Sequence, residues 1–331
     1  MFETYKPSGR FGGLAFPLAL VGIVVAVALS FIYHHVLYWI PIIYANFLAT
    51  LGLGFALGAI GAFIVNTGKV RSILLTLVVG LLMTLAALGG KYYFQYQQML
   101  TDIVAFEMKD PKLADVDPVE MREFVGERVT FMEHINIRAE EGWNIGRGGG
   151  GAPVSGIFVY VIWLIEFGIV VFFAVTVALN AANEPFSEKL GEWASEEEVV
   201  MSLPVTNEEM VSQIQTATSV DQLLEIPIPQ TDASDQFAVY KVNSIPGQEL
   251  EDAYLTVDLT RIYLDNEGNQ QADETSLVQH AVITTDQRKQ LVENAELLNE
   301  AMADYREALE TGELDQAEGQ DAESDELDEE A

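Results

Sequence analysis

Long stretches without charged residues dominate the N-terminal half of the chain. Residues 11–68 contain no Asp, Glu, Lys or Arg, residues 72–90 are also uncharged, and Glu166 is the only charge in residues 154–179. One crossing of a bilayer needs ~20 apolar residues, so the first stretch is long enough for two helices. The pattern therefore predicts four membrane-spanning helices, at about 11–33, 38–65, 72–90 and 154–179.

The C-terminal part has a different pattern. Runs rich in β-branched and aromatic residues occur at 237–242, 254–263 and 275–283, which is typical of strands. Residues 184–312 are therefore predicted to form a soluble α+β domain. Residues 313–331 are acidic and contain no aromatic side chain, so we expect a disordered tail there.

A polar loop, 97–152, separates the third and fourth predicted spans. Within it, Asp117 followed by Pro118 is a favourable helix start, because the carboxylate can cap the helix and proline suits its first position. Apolar residues then recur at steps of three and four. We expect one amphipathic helix that packs over the spans, or alternatively on the membrane surface or a partner. Its apolar face comprises Met121, Phe124, Val125, Val129, Met132 and Ile135.

The distribution of basic residues predicts the orientation. The link between spans two and three carries Lys69 and Arg71, whereas the link between spans one and two carries His34 and His35 but no Lys or Arg. Basic residues accumulate on the cytoplasmic side of a membrane. The N-terminus, and after four crossings the C-terminus, are therefore expected in the cytoplasm, with loop 97–152 outside, in a protein of the cell (inner) membrane.

Charge is concentrated at the C-terminal end. Of the formal net charge of −33, residues 184–331 contribute 37 acidic against 6 basic side chains, whereas residues 1–183 carry 13 against 11. Such an excess repels nucleic acid and attracts basic proteins. The chain has no cysteine, which excludes disulfides and thiolate metal sites. No catalytic, metal-binding or nucleotide-binding motif is present, so we expect neither an enzyme nor a bound cofactor.

Glu166 is the strongest candidate for a functional residue. A charged carboxylate within a membrane helix costs several kcal/mol, of order ~3 on insertion scales, unless it is paired or neutralised. The simplest expectation is a neutral, hydrogen-bonded carboxyl that fixes helix packing, and the alternative is a proton or cation site. Possible partners on the neighbouring spans are Thr76, Thr84, Asn46, Tyr44 and, if it reaches inward, Lys91.

Small residues recur four positions apart within the spans. Gly54 and Gly58 form a GxxxG pair in span two, and similar spacings begin at Gly22 in span one and include Gly80 in span three. Small residues let helix backbones approach closely. These stripes predict a tight bundle, and one of them is also available for contact between copies in a homo-oligomer.

Taken together, the patterns predict a polytopic α-helical membrane protein of four transmembrane helices with a C-terminal soluble α+β domain. The function that we expect is a non-enzymatic scaffold or adaptor, anchored in the lipid bilayer, that recruits a protein partner through its acidic cytoplasmic domain. The alternative is a small transporter, or an ion- or proton-conducting subunit, centred on Glu166.

Overall fold

The computed structural model describes residues 2–40, 43–113, 116–145, 152–227, 234–248 and 253–311. The chain divides into two compact units. One unit is Pro7–Asn183, and the other combines Met1–Lys6 with Glu184–Ala331. The predicted acidic tail, 313–331, lies outside the described residues. The two units are described separately.

Four long apolar helices build the first unit. They are α1 (Ala15–Trp39), α2 (Ile43–Gly68), α3 (Ile73–Glu107) and α6 (Ile157–Asn183). Each contains a window with a mean hydropathy of at least 2.2, and each is long enough to cross a bilayer. The prediction of four such helices is confirmed, although α1, α2 and α6 begin and end a few residues later than expected and α3 ends much later.

Small residues bring α2 and α6 into close contact. A Cβ atom added at Gly58 would lie 2.7 Å from the Val177 Cβ atom, and one added at Gly54 would lie 3.0 Å from the Phe173 Cβ atom. The predicted packing glycines Gly22 and Gly80 also lie at helix contacts, against residues of α2 and α3 and of α6 respectively. Leu57, Met83, Val170 and Ala174 fill the centre of the bundle, where all four are fully buried.

The third apolar helix is longer than its uncharged stretch. It continues past residue 90 to Glu107, so the predicted loop 97–152 begins inside a helix. Beyond the short 3-10 turn Pro111–Leu113, two helices follow, α4 (Pro118–Arg128) and α5 (Phe131–Glu141). Apolar side chains of α3 and α4 form a small core there, namely Tyr96, Leu100, Val104, Met121 and Val125.

The single amphipathic helix expected in this loop is in fact two helices. Asp117 caps α4 as predicted, since its carboxylate accepts a hydrogen bond from the Val119 N–H group. Thr130 then caps a second helix by accepting from the Glu133 N–H group, which breaks the first one at Val129. A short antiparallel hairpin, β1 (Trp143–Ile145) with β2 (Ala152–Val154), leads into α6.

The second unit contains an antiparallel sheet with helices. After a small hairpin of β3 (Phe186–Ser187) and β4 (Glu192–Trp193), the described strands of the main sheet are ordered β5-β6-β7-β8. Three of these strands were predicted, and β5 was not. Their bounds are β5 (Glu196–Pro204), β6 (Gln236–Ser244), β7 (Ala253–Leu264) and β8 (Gln270–Ile283), and the helices are α7 (Glu208–Thr216), α8 (Val220–Leu224) and α9 (Thr285–Thr311).

One face of this sheet forms the core with the helices. Alternate residues of the strands, including Tyr240 and Leu255, are fully buried, as are Ile214 of α7, Leu223 of α8 and Leu291 of α9. This period of two is what a half-buried strand requires. The C-terminal unit therefore has a hydrophobic core of its own, separate from that of the apolar helices.

The chain's first residues belong to the sheet domain. Residues 2–6, here called the N-terminal clip, precede the first apolar helix along the chain. The Tyr5 N–H group donates to the His280 carbonyl oxygen (2.9 Å), and the Val282 N–H group donates to the Glu3 carbonyl oxygen (2.7 Å). Thr4 is thereby paired with Ala281 on the outer edge of β8, antiparallel to it.

Candidate functional site

Glu166 lies in the interior of the helix bundle and is paired with a lysine. Its side chain is 13% exposed, and that of Lys91 on α3 is 7% exposed. The Lys91 ammonium donates to both carboxylate oxygens, at 2.7 Å to Oε1 and 2.9 Å to Oε2. This is a two-point ion pair between α3 and α6, away from bulk water.

The continuation of α3 explains how the lysine reaches this position. Because the helix runs on to Glu107, Lys91 lies near its middle instead of at its end. The sequence has no basic residue in the middle of a predicted span, and the structure places Lys91 within α3, directly after the predicted span 72–90. At the preceding position, a Cβ atom on Gly90 would overlap the Ser30 Oγ atom, so only glycine lets α1 approach α3 this closely.

Tyrosine and threonine hydroxyls extend the ion pair to the other two helices. The Tyr33 hydroxyl of α1 donates to Glu166 Oε1 at 2.7 Å and lies 2.8 Å from the Thr50 Oγ1 atom of α2. The Thr50 hydroxyl also lies 2.9 Å from the Asn46 carbonyl oxygen, so its single proton is shared between two acceptors. Every one of the four apolar helices thus contributes to the cluster.

Aromatic rings complete the surroundings of the lysine. The Lys91 Nζ atom is 4.4 Å from the ring centre of Tyr92 and 5.5 Å from that of Tyr33, which are cation–π distances. The Tyr92 hydroxyl is 3.5 Å from Glu166 Oε2, and the Trp163 ring packs against Tyr92. We call Tyr33, Thr50, Lys91, Tyr92 and Glu166 the four-helix polar cluster.

Two side chains donate to Glu166. Lys91 and Tyr33 both donate to the carboxyl group at short distance. Both oxygens of a carboxylate can accept, whereas a protonated carboxyl also needs an acceptor for its own proton. The sequence suggested a neutral, hydrogen-bonded carboxyl, and the structure adds a basic partner, Lys91.

The other residues predicted for this site have different partners. The hydroxyls of Thr76 and Thr84 donate to the Ser72 and Gly80 carbonyl oxygens of their own helix, and in the described part of the chain neither contacts Glu166. Asn46 reaches the cluster only through its backbone carbonyl oxygen. Its Oδ1 atom is buried and has no hydrogen-bond partner among the described residues.

The polar cluster lies toward one end of the bundle. Glu166 is the tenth residue of α6, ~14 Å from the start of that helix at 1.5 Å per residue. Tyr33 is near the end of α1, and Thr50 is near the start of α2. The cluster is thus closer to the α1–α2 link than to the end that carries Lys69 and Arg71.

Tyr33 and Tyr92 were not recognised as partners of Glu166 from the sequence. Both occur next to other aromatic residues at the ends of apolar stretches, a pattern also typical of interfacial anchors. Lys91 carried a better signal, because it is the first charged residue after the uncharged stretch 72–90.

The sheet domain has a smaller network of charges on β6, β7 and β8. The Lys241 ammonium lies 3.0 Å from the Asp258 carboxylate and 3.4 Å from that of Glu274. The hydrogen bond to Asp258 raises the pKa of Lys241. Within the described residues, no group of three His, Cys, Asp or Glu side chains is placed to hold a metal ion.

Comparison of the chain with protein-family models, with curated proteins and with solved structures finds no match in any of the three. The functional conclusion therefore rests on the geometry of the two units.

Proposed function

We propose that this protein is a non-enzymatic membrane scaffold. Four helices would anchor it in the bilayer, and the sheet domain would present an acidic surface to a basic protein partner on one side. The observation that carries the proposal is the separate, fully formed core of the sheet domain. A domain with its own core, attached to four apolar helices, is suited to hold a partner at the membrane.

The N-terminal clip supports a topology with both chain ends on one side. Residues 3–5 precede α1 and pair with β8, which follows α6. This pairing is possible only if an even number of membrane crossings separates the two segments, and four apolar helices satisfy that condition. The basic residues Lys69 and Arg71 support a cytoplasmic location for this side.

Cysteine accessibility tests this topology directly, because the chain has no native cysteine. Asp110→Cys lies in the loop after α3, and Glu267→Cys lies in the turn between β7 and β8. With a membrane-impermeant maleimide on intact cells, Asp110→Cys should be labelled and Glu267→Cys should react only after permeabilisation. Labelling of Glu267→Cys on intact cells would reject the proposed orientation.

The four-helix polar cluster fits a scaffold as an interhelical lock. Its two charges neutralise each other, and the Tyr33 hydroxyl satisfies a further carboxylate lone pair. Contacts of this kind between polar side chains hold helices together inside a membrane, because hydrocarbon offers these groups no other hydrogen-bond partner. We infer that the pair positions α6 against the first three helices.

Recruitment can be tested in cells with a photo-crosslinking amino acid. At Tyr263, which is 50% exposed on β7, it should give discrete crosslinked products. At Asp110 it should not give the same products. Because the attraction is electrostatic, raising the salt concentration of isolated membranes before illumination should weaken the crosslinks. The absence of any product specific to Tyr263 would contradict the scaffold proposal.

The alternative function is a proton- or ion-conducting subunit centred on Glu166. It is favoured by one observation, the buried Asn46 Oδ1 atom beside the cluster, which is free to bind a cation or a water molecule. Flux measurements in proteoliposomes decide between the two functions. A scaffold shows no flux above empty liposomes, whereas a conducting subunit shows a flux that the double variant Lys91→Met/Glu166→Gln abolishes.

A further inference from the structure

We propose that the outer edge of β8 is a strand-addition site for an extended segment of a partner protein that contains aromatic and basic residues. In the free protein the N-terminal clip occupies one end of this site. The inference rests on the proposed function and identifies the surface on which the scaffold holds its partner.

The clip shows that this edge accepts an added strand. Two backbone hydrogen bonds fix its register, with Thr4 opposite Ala281. Two aromatic side chains anchor it. Phe2 packs against the main core, and the Tyr5 ring packs edge-on against Tyr254 with ring centres 5.6 Å apart. Backbone pairing with side-chain pockets at intervals is how sheet edges bind extended peptides.

Pairing of the clip stops where the sequence requires it. Residue 7 is a proline, which has no N–H group to donate and therefore ends a strand on a sheet edge. The strand β8, however, continues as far as Gln270, with register shifts in its pairing with β7 between Leu255 and Val257 and between Val257 and Asp258. Residues 270–276 are exposed, and no described residue pairs with their outer edge. A strand without this proline has room to pair along the rest of β8.

Charge determines which strands the open edge accepts. It carries Asp273, within residues 184–331, which contain 37 acidic and 6 basic side chains, whereas the neighbouring Glu274 lies 3.4 Å from Lys241. Acidic side chains on an exposed edge prevent pairing between two copies of the same strand. The same charges attract a basic segment, and in the clip itself the aromatic Tyr5 is followed by Lys6. The ligand we assign is thus an extended segment with an aromatic anchor followed by basic residues.

Two synthetic peptides test the proposal on the full-length protein in detergent. Both peptides begin with the sequence of residues 2–6 and continue with alternating threonine and lysine. The control peptide has proline as its sixth residue, which corresponds to position 7 of the protein. Fluorescence anisotropy should show that the proline-free peptide binds at least ~10-fold more tightly, because only it can pair beyond the clip. Equal affinities of the two peptides would overturn the proposal.

Two protein variants test the role of the clip. Tyr5→Pro removes the N–H group that donates to His280, so the clip should detach and the proline-free peptide should bind more tightly. Thr4→Pro is the matched control, because the Thr4 N–H group is not one of the two that bond β8. Hydrogen exchange at the Val282 amide should accelerate in Tyr5→Pro and slow again on addition of peptide. Unchanged exchange and affinity in Tyr5→Pro would also overturn the proposal.

These outcomes remain distinct from a failure of the scaffold function. If the crosslinks at Tyr263 form but the wild-type protein does not distinguish the two peptides, the scaffold stands and the β8 edge is not its docking site. If Tyr5→Pro unfolds the domain, the affinities of the two peptides for the wild-type protein still decide whether the β8 edge is a strand-addition site.

Discussion

At the scale of single residues, the Lys91–Glu166 pair is the feature with the largest energetic consequence. Each charge lies in the interior of the bundle and is compensated almost entirely by the other. Burying an ion pair gives little net stability, but removing one partner leaves an isolated charge, which typically costs about 3–5 kcal/mol. Lys91 and Glu166 must therefore be substituted both singly and together.

We expect Lys91→Met or Glu166→Gln alone to destabilise the protein by roughly 3–5 kcal/mol, because each leaves one buried charge unpaired. The double variant should be much closer to the wild type than the sum of the two single changes. Thermal unfolding in detergent measures this coupling. Additive effects of the two substitutions would show that the pair does not act as a unit.

A second residue-scale prediction concerns His134 of α5. The side chain is 2% exposed, its Nδ1 atom lies 3.1 Å from the Met99 Sδ atom, and its Nε2 atom has no partner within the described residues. Burial lowers the pKa of His134, the Arg138 charge lowers it further, and Glu141 opposes this change. The folded protein therefore binds fewer protons than the unfolded chain just below pH 6.5.

Acidification below about pH 6.5 should consequently weaken the packing of α5 on α3. Hydrogen exchange of α5, corrected for the intrinsic effect of pH, should accelerate between pH 7.5 and pH 5.5. His134→Phe removes the titrating group and should flatten this dependence. A wild-type α5 that exchanges equally at both pH values would contradict the prediction.

At the scale of secondary-structure elements, the sequence predicted what depends on long uniform patterns. Four apolar helices follow from uncharged stretches, because only burial or lipid accommodates them. The end of α3 was missed because its pattern changes there. After Lys91 the buried side chains are Tyr96, Leu100 and Val104, spaced by four, with polar residues such as Gln97, Gln98 and Asp102 between them. The strand β5 was missed because it begins with three consecutive glutamates, which strands normally disfavour.

The four-helix polar cluster could be predicted only in part, because a local sequence pattern marks Glu166 but not its partners. Glu166 was identified from its own isolation in an apolar stretch. Its partners depend on where three other helices cross α6, which local sequence does not encode. The clip is a stronger example, since the pairing of Thr4 with Ala281 joins segments that precede and follow all four apolar helices.

The contact of α2 with α6 gives an element-scale prediction. Gly58→Ala should destabilise the bundle by about 1–3 kcal/mol, because the new Cβ atom would lie 2.7 Å from the Val177 Cβ atom and 2.9 Å from the Phe173 carbonyl oxygen. Gly52→Ala is the matched control on the same helix, where nothing lies within 4 Å of the new atom. Thermal unfolding that gives equal values for the two variants would contradict this contact.

At the scale of the whole molecule, charge separates the two parts of the chain. Residues 1–183 are nearly balanced, with 11 basic and 13 acidic side chains, whereas residues 184–331 carry 6 and 37. Like charges at this density repel one another and oppose a compact state. The sheet domain should therefore depend on salt, and the apolar helices should not.

Raising the salt concentration from about 10 mM to 500 mM shortens the Debye length from ~30 Å to under 8 Å and should stabilise the sheet domain. Hydrogen exchange within β6 and β7 should slow, because screening reduces repulsion in the folded state. Exchange within α6 should remain unchanged and serves as the internal control. Faster exchange of the sheet at high salt would indicate that its ion pairs, such as Lys241–Asp258, outweigh the repulsion.

The N-terminal clip also imposes an order on biosynthesis. Its residues are synthesised before all four apolar helices, yet their binding site includes Ala281 and Val282, which are synthesised after these helices. The sheet domain is therefore completed only after all four apolar helices have been synthesised. Prematurely terminated chains would expose an unfinished domain, so cellular proteases can distinguish them from finished molecules.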